Sequence, residues 1–289
     1  MVAPKPRLNC LKPGHVFDAV GHPGRRRKRQ KVSGYAPFSS STVAETHSIP
    51  EDPNMNLEQF LIPSTATLTT VLKRHGLSNT FMRAVRPLRP DAKVVGAAFT
   101  LRYIPMREDL DSDVVDNLKD AQRIGIERIT PGEVLVIDAR GEAGAGTMGN
   151  ILAARLQVKG AAGIVTDGAF RDSPEIARME IASYASGMNA NSNKTVHHPS
   201  EIQVPIACGG VAVIPGDIVV GDGEGVVVVP RHFAEDVARE AVEQELKEDF
   251  ILERIEAGAS IVGTYPMDDA TLAEFNDWRR KKSARRSSA

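Results

Sequence analysis

Residues 166–172, Thr-Asp-Gly-Ala-Phe-Arg-Asp, carry the side chains best suited to chemistry. They follow the apolar run Gly163 to Val165, which is typical of a buried strand. Ligands of open α/β sheets bind in the crevice beyond the carboxyl ends of the strands. The planar guanidinium of Arg171 matches a carboxylate, and Asp172 offers a hard oxygen ligand to Mg²⁺ or Mn²⁺. These residue types predict a site for a small organic acid beside a divalent cation.

The same pair of residues has a purely structural alternative. Arg171 and Asp172 could pair with each other at the surface, while Asp172 begins a helix that Pro174 continues. Spacing alone favours neither interpretation, so both stay open at this point.

A second pattern, Gly144-Ala-Gly-Thr-Met-Gly149, matches the GxGxxG form of a dinucleotide-binding loop, and Asp167 ends the next predicted strand. The first glycine, however, lies seven residues beyond Ile137, whereas the dinucleotide fingerprint needs a tight turn directly at the strand end. No second set of alternating strands and helices follows. We therefore expect a more modest role, in which the loop and the following helix N-terminus offer N–H groups to a carboxylate.

The elements that position these loops are predicted from hydrophobic periodicity and turn residues. We predict helices over Thr65 to His75 with Gly76 as C-cap, Asp111 to Ile124, Gly149 to Lys159, and His232 to Ala257 ending at Gly258. We predict strands over Lys93 to Ile104, Val134 to Ile137, Gly163 to Thr166, Ile206 to Ala207, Val211 to Ile214, and Val226 to Val229. The alternation of strand, loop, helix and strand around Gly149 predicts the α/β class.

The composition is that of an ordinary globular protein. The chain has 289 residues, of which 42% are hydrophobic, and this is enough for one large core. Cys10 and Cys208 lie far apart with no paired spacing, so neither a disulfide framework nor a zinc knuckle is expected. No apolar run approaches the roughly 18 residues of a membrane span. We expect a cytoplasmic protein with no membrane partner.

The net charge of -1 hides an uneven distribution. Residues 1–54 hold nine Lys or Arg against four Asp or Glu, residues 279–289 hold six against none, and residues 55–278 hold 21 against 33. Basic arms can bind nucleic acid, but the first arm lies among Pro, Gly and Ser without periodicity, which favours disorder. We predict a disordered basic extension over 1–54, a catalytic domain over 55–265, and a helical segment with a basic tail over 266–289. Whether residues 1–54 belong to the natural protein stays open, because Met55 is a second candidate start.

Three stretches resemble the RraA-like family. They are Gly149-Asn-Ile-Leu-Ala153, then 160–172 with the sequence GAAGIVTDGAFRD, and 213–230 with the sequence VIPGDIVVGDGEGVVVVP. The resemblance extends over about residues 60–260. The family contains 4-hydroxy-4-methyl-2-oxoglutarate aldolases and regulators of the ribonuclease RNase E. It implies a single-domain α/β/β/α sandwich resembling the swivelling phosphohistidine domain, assembled as a trimer or hexamer with the site between subunits.

The resemblance also implies roles for individual residues. The substrate-binding loop falls on Gly149, Asn150, Ile151 and Leu152, the substrate-binding arginine on Arg171, and the metal-binding aspartate on Asp172. A metal-site glutamate from the neighbouring subunit falls near Glu248. The implied cofactor is Mg²⁺ or Mn²⁺.

One position departs from the family pattern. The aldolases have Gly-Asp-Asn in the loop, and the aspartate handles a water or proton at the metal. This chain has Gly149-Asn150-Ile151, and an Asn side chain cannot act as a base. Because of this departure, whether the chain catalyses aldol cleavage stays open, whereas the expected binding of a 2-oxo acid does not depend on Asn150 acting as a base.

We therefore expect a metal-dependent carbon–carbon lyase acting on a small 2-oxo acid. Retro-aldol cleavage and oxaloacetate decarboxylation both give pyruvate through an enolate held by the metal. Because decarboxylation needs least from a base, we expect it to survive the Asn150 change. The alternatives are a non-catalytic regulator that binds a ribonuclease and, less favoured, a sugar-acid dehydratase. The physiological substrate and the choice between trimer and hexamer are left open.

Other conspicuous residues are expected to be structural. We expect His75, His197 and His198 to be solvated or turn residues. Asp217 should stabilise its Pro-Gly-Asp turn, and Trp278 should be a packing anchor.

Overall fold

A computed structural model describes residues 56–109, 111 and 115–286; the predicted extension over 1–54 lies outside this range. The α-helices are α1 (Thr65–Arg74), α2 (Ala121–Arg128), α3 (Asn150–Val158), α4 (Ser173–Ile176), α5 (Ala234–Glu256) and α6 (Asp269–Arg286). Short 3-10 helices cover Leu57–Leu61, Asn193–Thr195 and Arg231–Phe233. The first seven strands are β1 (Arg86–Pro87), β2 (Val94–Pro105), β3 (Val134–Asp138), β4 (Gly146–Met148), β5 (Gly163–Thr166), β6 (Ala169–Phe170) and β7 (Ala182–Ala185). The remaining strands are β8 (Gly187–Met188), β9 (His197–Ile202), β10 (Ile206–Cys208), β11 (Val211–Val213), β12 (Ile218–Asp222) and β13 (Gly225–Val229).

The main sheet has the strand order β1-β7-β5-β3-β2-β12-β13, and β9 also pairs with β2. Strands β2, β3, β5 and β7 run parallel, whereas β12 is antiparallel to β2 and β13 is antiparallel to β12. The two ends of this order, β1 and β13, contact each other, so the sheet nearly closes on itself. The long β2 holds the closed sheet together because it pairs with three other strands.

Side chains of alternating direction give the sheet two apolar faces. On β3, Val134 and Val136 point into the core enclosed by the sheet, while Leu135 and Ile137 pack with residues of α2 and α3. On β12, Val219 points inward, while Ile218 and Val220 pack with residues of α1 and α5. Helices therefore cover two opposite parts of a folded sheet. This arrangement confirms the predicted α/β/β/α sandwich.

Two small sheets complete the structure. Strands β4, β6 and β8 form a parallel three-stranded sheet, and β10 pairs with β11. The strands β4, β6 and β8 are only two or three residues long, too short for the period-2 pattern that identifies a strand from sequence. Nevertheless, β4 leads directly into the Gly149 loop, and β6 leads directly into Arg171 and Asp172.

The helix predicted over Asp111 to Ile124 is wrong at its start. The structure begins α2 at Ala121, where the Asp120 side chain accepts a hydrogen bond from the Arg123 N–H and caps the helix. Asp116 instead accepts a hydrogen bond from the Leu118 N–H in a local turn. Asp116 thus stabilises a turn before the helix, and Asp120 fixes the helix start at Ala121. These local hydrogen bonds override the helical spacing of apolar residues that extends further toward the N-terminus.

The C-terminal helix α6 packs on α5 through aromatic residues. Phe250 of α5 contacts Phe275 and Trp278 of α6, with ring centroids 5.6 Å apart in both pairs. Ion pairs between Arg279 and Glu243 and between Lys282 and Asp249 add to this contact. Two of the basic residues thus bind acidic residues of α5, and Trp278 is the packing anchor that the sequence predicted. No helix within the described ranges is long and apolar enough to cross a membrane.

Trp278 is the only tryptophan of the chain, so its fluorescence reports this contact. We predict that Phe275→Ala shifts the Trp278 emission to longer wavelength, because removing a fully buried ring loosens α6 from α5. The far-UV circular dichroism midpoint of thermal unfolding should change little, since the sheet core does not contain Phe275. Leu272→Ala, at a more exposed position of α6, is the control and should leave the emission unchanged. Unaltered emission in Phe275→Ala would contradict the packing.

Candidate functional site

Asp172 has an unusual backbone conformation for an aspartate. Its φ of 54° and ψ of 34° lie in the left-handed region. Asp172 is the N-cap residue of α4, yet its side chain makes no capping hydrogen bond. Instead its carboxylate faces Gly149, because a Cβ placed on Gly149 would lie 2.6 Å from Asp172 Oδ2. Asp172 thus begins α4 and lies in an ion pair with Arg171, as the structural alternative expects, but its side chain does not cap the helix.

The carboxylate of Asp172 lies at the N-terminus of α3. Gly149 is the N-cap residue of α3 and supplies no side-chain cap, and the first intrahelical bond runs from the Ala153 N–H to the Gly149 carbonyl. The N–H groups of Asn150, Ile151 and Leu152 therefore have no intrahelical acceptor. A negative charge at this end of a helix is stabilised by about 0.3–1 kcal/mol at an exposed site. The same groups can bind the carboxylate of a ligand.

Arg171 and Asp172 form only a loose ion pair. Arg171 Nε lies 3.6 Å from Asp172 Oδ1, beyond hydrogen-bond distance, and the two side chains are 49% and 37% exposed. A pair this exposed contributes little to stability. The Arg171 guanidinium makes no other hydrogen bond or ion pair within the described ranges, so it is available to bind an anion.

Close packing between β4 and the end of β6 holds Arg171 in place. The Arg171 N–H donates to the Met148 carbonyl at 2.9 Å, and a Cβ on Gly146 would lie 2.6 Å from the Arg171 nitrogen. Gly146 is therefore required for the approach of two backbones. This explains the GxGxxG pattern without a dinucleotide, because Gly146 lies in a strand and not in a tight turn.

The other predicted loop residues surround the same point. Asn150 is half-buried, and its side chain makes no hydrogen bond within the described part of the chain. Ile151 is 80% exposed, and Leu152 packs at the edge of the apolar core beneath α3. The structure thus brings Gly149, Asn150, Arg171 and Asp172 together.

Glu248 lies elsewhere in the single chain. It accepts hydrogen bonds from Thr67 Oγ1 at 3.1 Å and from Gln244 Nε2 at 2.8 Å, between α1 and α5. Its predicted role concerns a neighbouring subunit, and that role stays a prediction.

A polar network lies beneath the Gly149 loop. The Thr147 carbonyl accepts hydrogen bonds from Tyr103 Oη at 3.0 Å and from Gln122 Nε2 at 2.8 Å, and Asn193 Nδ2 donates to Gln122 Oε1. Burial raises the pKa of Tyr103, while the nearby Arg123 charge opposes that shift. Tyr103 is therefore a neutral donor that fixes the start of the loop.

Asp111 and Lys194 anchor this network to the fold. Asp111 Oδ1 lies 2.8 Å from His198 Nδ1 and 3.4 Å from Lys194 Nζ, and Lys194 also reaches Asp120 at 3.6 Å. Burial acts to raise the pKa of Asp111, but hydrogen bonds from His198 and from the Arg107 N–H outweigh it and lower the pKa. His198 is thus paired with Asp111, and the expectation that it is solvated is wrong.

The Asp167 carboxylate supports the backbone of neighbouring loops. It accepts hydrogen bonds from the N–H groups of Ala139, Gly141 and Gly209 at 2.7, 3.0 and 3.3 Å. Burial raises its pKa. Asp167 therefore ties the end of β5 to the loop after β3 and to the turn between β10 and β11.

The remaining conspicuous residues are structural. Asp217 accepts hydrogen bonds from the Ile214 and Arg231 N–H groups, as its predicted turn role requires. His75 pairs with Glu240 at 3.1 Å. His197 is fully buried beside Tyr103, which corrects the expectation of a solvated side chain, and its strand β9 was not predicted.

A family model, RraA-like (Aldolase/RraA), matches residues 65–228, more than half of the chain. The chain belongs to the RraA-like family. The matched range contains the Gly149 loop, Arg171 and Asp172, but it ends before Glu248 and α6.

Individual relatives agree with this assignment. A protein of Halalkalibacterium halodurans named "Putative 4-hydroxy-4-methyl-2-oxoglutarate aldolase" is 31% identical over 193 residues, covering 67% of this chain and 85% of the relative. The structure of Streptomyces coelicolor RraAS2, described as an unusual member of the RNase ES inhibitor RraA family, is 33% identical with a TM-score of 0.61 and covers 67% of this chain and 93% of that chain. An uncharacterised protein from Pseudomonas syringae is 26% identical with a TM-score of 0.63, covering 72% and 96%.

The free energy of unfolding of this RraA-like protein at acidic pH should depend on Asp111, whose side chain is 6% exposed. Its folded-state pKa lies below the unfolded value, so its stabilisation is present above about pH 4 and is lost as the pH falls through the folded pKa. Asp111→Asn should lower the free energy of unfolding by about 1–3 kcal/mol at pH 7. The deficit should shrink below about pH 4.

Urea unfolding at a series of pH values measures this difference. Asp91→Asn, at an exposed position, is the control and should match the unchanged protein at every pH. A deficit in Asp111→Asn that stays constant down to pH 3 would contradict the charged pairing.

Proposed function

We propose that this protein is a divalent-metal-dependent lyase that cleaves a small 2-oxo acid and releases pyruvate, with oxaloacetate decarboxylation as the activity best matched to its site. The observation that carries the proposal is the Asp172 carboxylate, which caps no helix and faces Gly149 at the N-terminus of α3. Arg171 beside it has no other partner within the described ranges. A carboxylate and a guanidinium that pair only loosely with each other at one helix end suit a cation and an organic acid.

The donor set fits Mg²⁺ or Mn²⁺. No group of three His, Cys, Asp or Glu side chains that could hold a metal occurs in the described part of the chain. Mg²⁺ does not need one, since it keeps several waters and binds through one or two carboxylates together with substrate oxygens. Asp172 is the carboxylate at hand, and Glu248 of a neighbouring copy is the proposed second one.

Binding of the substrate uses two kinds of donors. Arg171 can form paired hydrogen bonds to the carboxylate next to the keto group. The free N–H groups at the start of α3 can donate to the same end of the substrate, where the helix dipole favours negative charge. Together these contacts orient the keto group toward Asp172.

The reaction requires an electron sink and one proton. Asp172 would hold a divalent ion, which would supply a Lewis acid as the electron sink. In oxaloacetate, the bond between C3 and the distal carboxylate breaks, CO₂ leaves, and the electron pair gives the enolate of pyruvate. A proton from solvent then adds to C3. Asn150 cannot remove a proton, which disfavours aldol cleavage, where a hydroxyl must be deprotonated.

The comparisons support this proposal at the level of the family. One relative is named as an aldolase and another belongs to a family described as ribonuclease inhibitors. An inhibitor that acts only by protein contact does not require a carboxylate and an arginine that are paired only loosely with each other at a helix N-terminus. We therefore rank the lyase above a non-catalytic ribonuclease regulator and above a sugar-acid dehydratase.

Purified protein with Mg²⁺ should convert oxaloacetate to pyruvate, and EDTA should stop the conversion. We predict that Asp172→Ala lowers kcat/KM on the order of 10³-fold, because the ion contributes several kcal/mol of charge stabilisation. Pyruvate release is measured with a coupled lactate dehydrogenase assay, corrected for spontaneous decarboxylation. Asp91→Ala serves as the control. Activity that survives both EDTA and Asp172→Ala would refute the proposal.

Gly149 provides an independent test of the carboxylate position. Gly149→Ala places a methyl group 2.6 Å from Asp172 Oδ2, so the carboxylate must move. We predict that this variant keeps its fold but binds Mn²⁺ at least roughly tenfold more weakly than the unaltered protein, as measured by electron paramagnetic resonance. Gly187→Ala is the matched control, since its added methyl group meets its nearest neighbour at an ordinary 3.6 Å. Equal Mn²⁺ affinity in both variants would place the ion elsewhere.

A further inference from the structure

His197 is a fully buried imidazole that contacts a loop outside its own strand. It lies in β9, which pairs with β2 of the main sheet, so its backbone belongs to the packed frame. Its Nδ1 lies 3.0 Å from Nη2 of Arg140, and the same guanidinium nitrogen donates to the Val196 carbonyl at 3.4 Å. Arg140 lies in the loop of residues 139–145, between β3 and β4. This contact therefore ties the loop to the main sheet.

The contact requires a neutral imidazole. A guanidinium can only donate hydrogen bonds, so Nδ1 of His197 must be the acceptor, and the neutral ring carries its proton on Nε2. Protonation of Nδ1 would direct an N–H at the Arg140 donor and bring two positive charges together. The hydrogen bond cannot form in that state, and the two cations repel each other.

The strands that pack around His197 do not supply a negative partner. The Tyr103 ring of β2 lies 5.3 Å from the His197 ring between centroids, and burial raises the pKa of Tyr103, so its hydroxyl stays neutral. His198 points to the other face of β9 and pairs with Asp111 at 2.8 Å. Among the described residues, no carboxylate forms a hydrogen bond with His197.

The loop supplies the remaining charges near the ring. Burial and the positive charge of Arg140 lower the pKa of His197, whereas the Ala145 carbonyl and the Glu142 carboxylate act in the opposite direction. Glu142 is exposed and accepts a hydrogen bond from the Gly144 N–H at 2.6 Å. The lowering effects are larger, so the pKa of His197 in the folded protein lies below the ordinary value of about 6.5.

The loop is strained at Arg140 and leads into the candidate site. Arg140 has a φ of 63°, in the left-handed region, which a non-glycine residue keeps only where its contacts hold it there. The loop ends at Gly146, where an added Cβ would lie 2.6 Å from the Arg171 nitrogen. A loop that moves away from His197 therefore loosens the backbone packed against Arg171.

We propose that His197 and Arg140 form a pH-sensitive latch that holds the loop of residues 139–145 against β9. The neutral ring keeps the loop closed, and protonation of the ring releases Arg140 and opens the loop. The latch acts on the frame of the site, so it does not depend on the proposed lyase reaction or on a metal.

The direction of the pH effect follows from the lowered pKa of His197. The latch is closed above the ordinary value of about 6.5, and it opens as the pH falls through the lower pKa of the folded protein. Asp167 is a competing source of pH dependence, because it accepts hydrogen bonds from the Ala139 and Gly141 N–H groups and burial raises its pKa. Variants of His197 and Arg140 separate the two sources, since they leave Asp167 unaltered.

Hydrogen–deuterium exchange of the peptide covering 139–148 measures the opening of the loop, after correction for the intrinsic pH dependence of exchange. In the unaltered protein, protection should fall on the order of tenfold between about pH 7.5 and pH 5, because the opened loop lets His197 bind a proton. His197→Asn keeps an oxygen acceptor near the position of Nδ1 and cannot be protonated, so it should lose this pH dependence. His75→Asn, at a histidine paired with Glu240, is the matched control and should behave like the unaltered protein.

Arg140→Leu is the second variant, and it decides the outcome if His197→Asn does not fold, because Arg140 is exposed. It should lower protection about tenfold at the higher pH, where the contact exists, and much less at the lower pH, where the contact is already lost. An equal effect of Arg140→Leu at both pH values would overturn the proposal. Protection in the unaltered protein that does not change with pH, or a pH dependence that persists in His197→Asn, would overturn it as well.

Discussion

The approach of the Asp172 carboxylate to the backbone of Gly149 constrains the rest of the site. It requires a left-handed backbone at Asp172, a glycine at position 149, and a helix that begins without a side-chain cap. A left-handed non-glycine residue costs on the order of 1 kcal/mol, and Asp tolerates it better than most residues. The helix dipole of α3 offsets part of this cost by stabilising the negative charge. The Asp172 carboxylate is thus positioned mainly by its backbone, with only a loose ion pair to Arg171.

The nearly closed sheet provides the rigid frame for this contact. Parallel strands β3 and β5 end at the same edge, and the buried Asp167 binds the backbone of the neighbouring loops there. The small sheet of β4, β6 and β8 then brings Arg171 against Met148. Tyr103 and Gln122 fix the Thr147 carbonyl from below. The loops that carry Gly149, Arg171 and Asp172 are therefore held by backbone hydrogen bonds to packed elements. These bonds fix the backbone and leave the side chains of Arg171 and Asp172 unengaged by the frame.

Sequence patterns predict the elements whose apolar periodicity is long. Helix α5 and strands β2, β3 and β5 were expected close to their observed bounds because burial imposes a repeat on many residues. The pairing of Arg171 with Asp172 and their position after β5 were also predictable. The polar network beneath the loop was not, since Asp111 and His198 are 87 positions apart and meet only through tertiary structure. The left-handed conformation of Asp172 could not be predicted from the sequence, because no residue pattern around Asp172 indicates it.

Asn150 decides how the charges of this site balance. An aspartate at that position would place a second carboxylate near Asp172 at one helix N-terminus, where each raises the energy of the other. Asn150 removes that repulsion and leaves Asp172 as the negative group against Arg171 and the helix dipole of α3. A site with this balance attracts anionic ligands more strongly and holds a free cation less strongly than one with two carboxylates. In the proposed lyase reaction, this balance suits an anionic substrate that binds together with the metal, and bond cleavage needs no basic side chain.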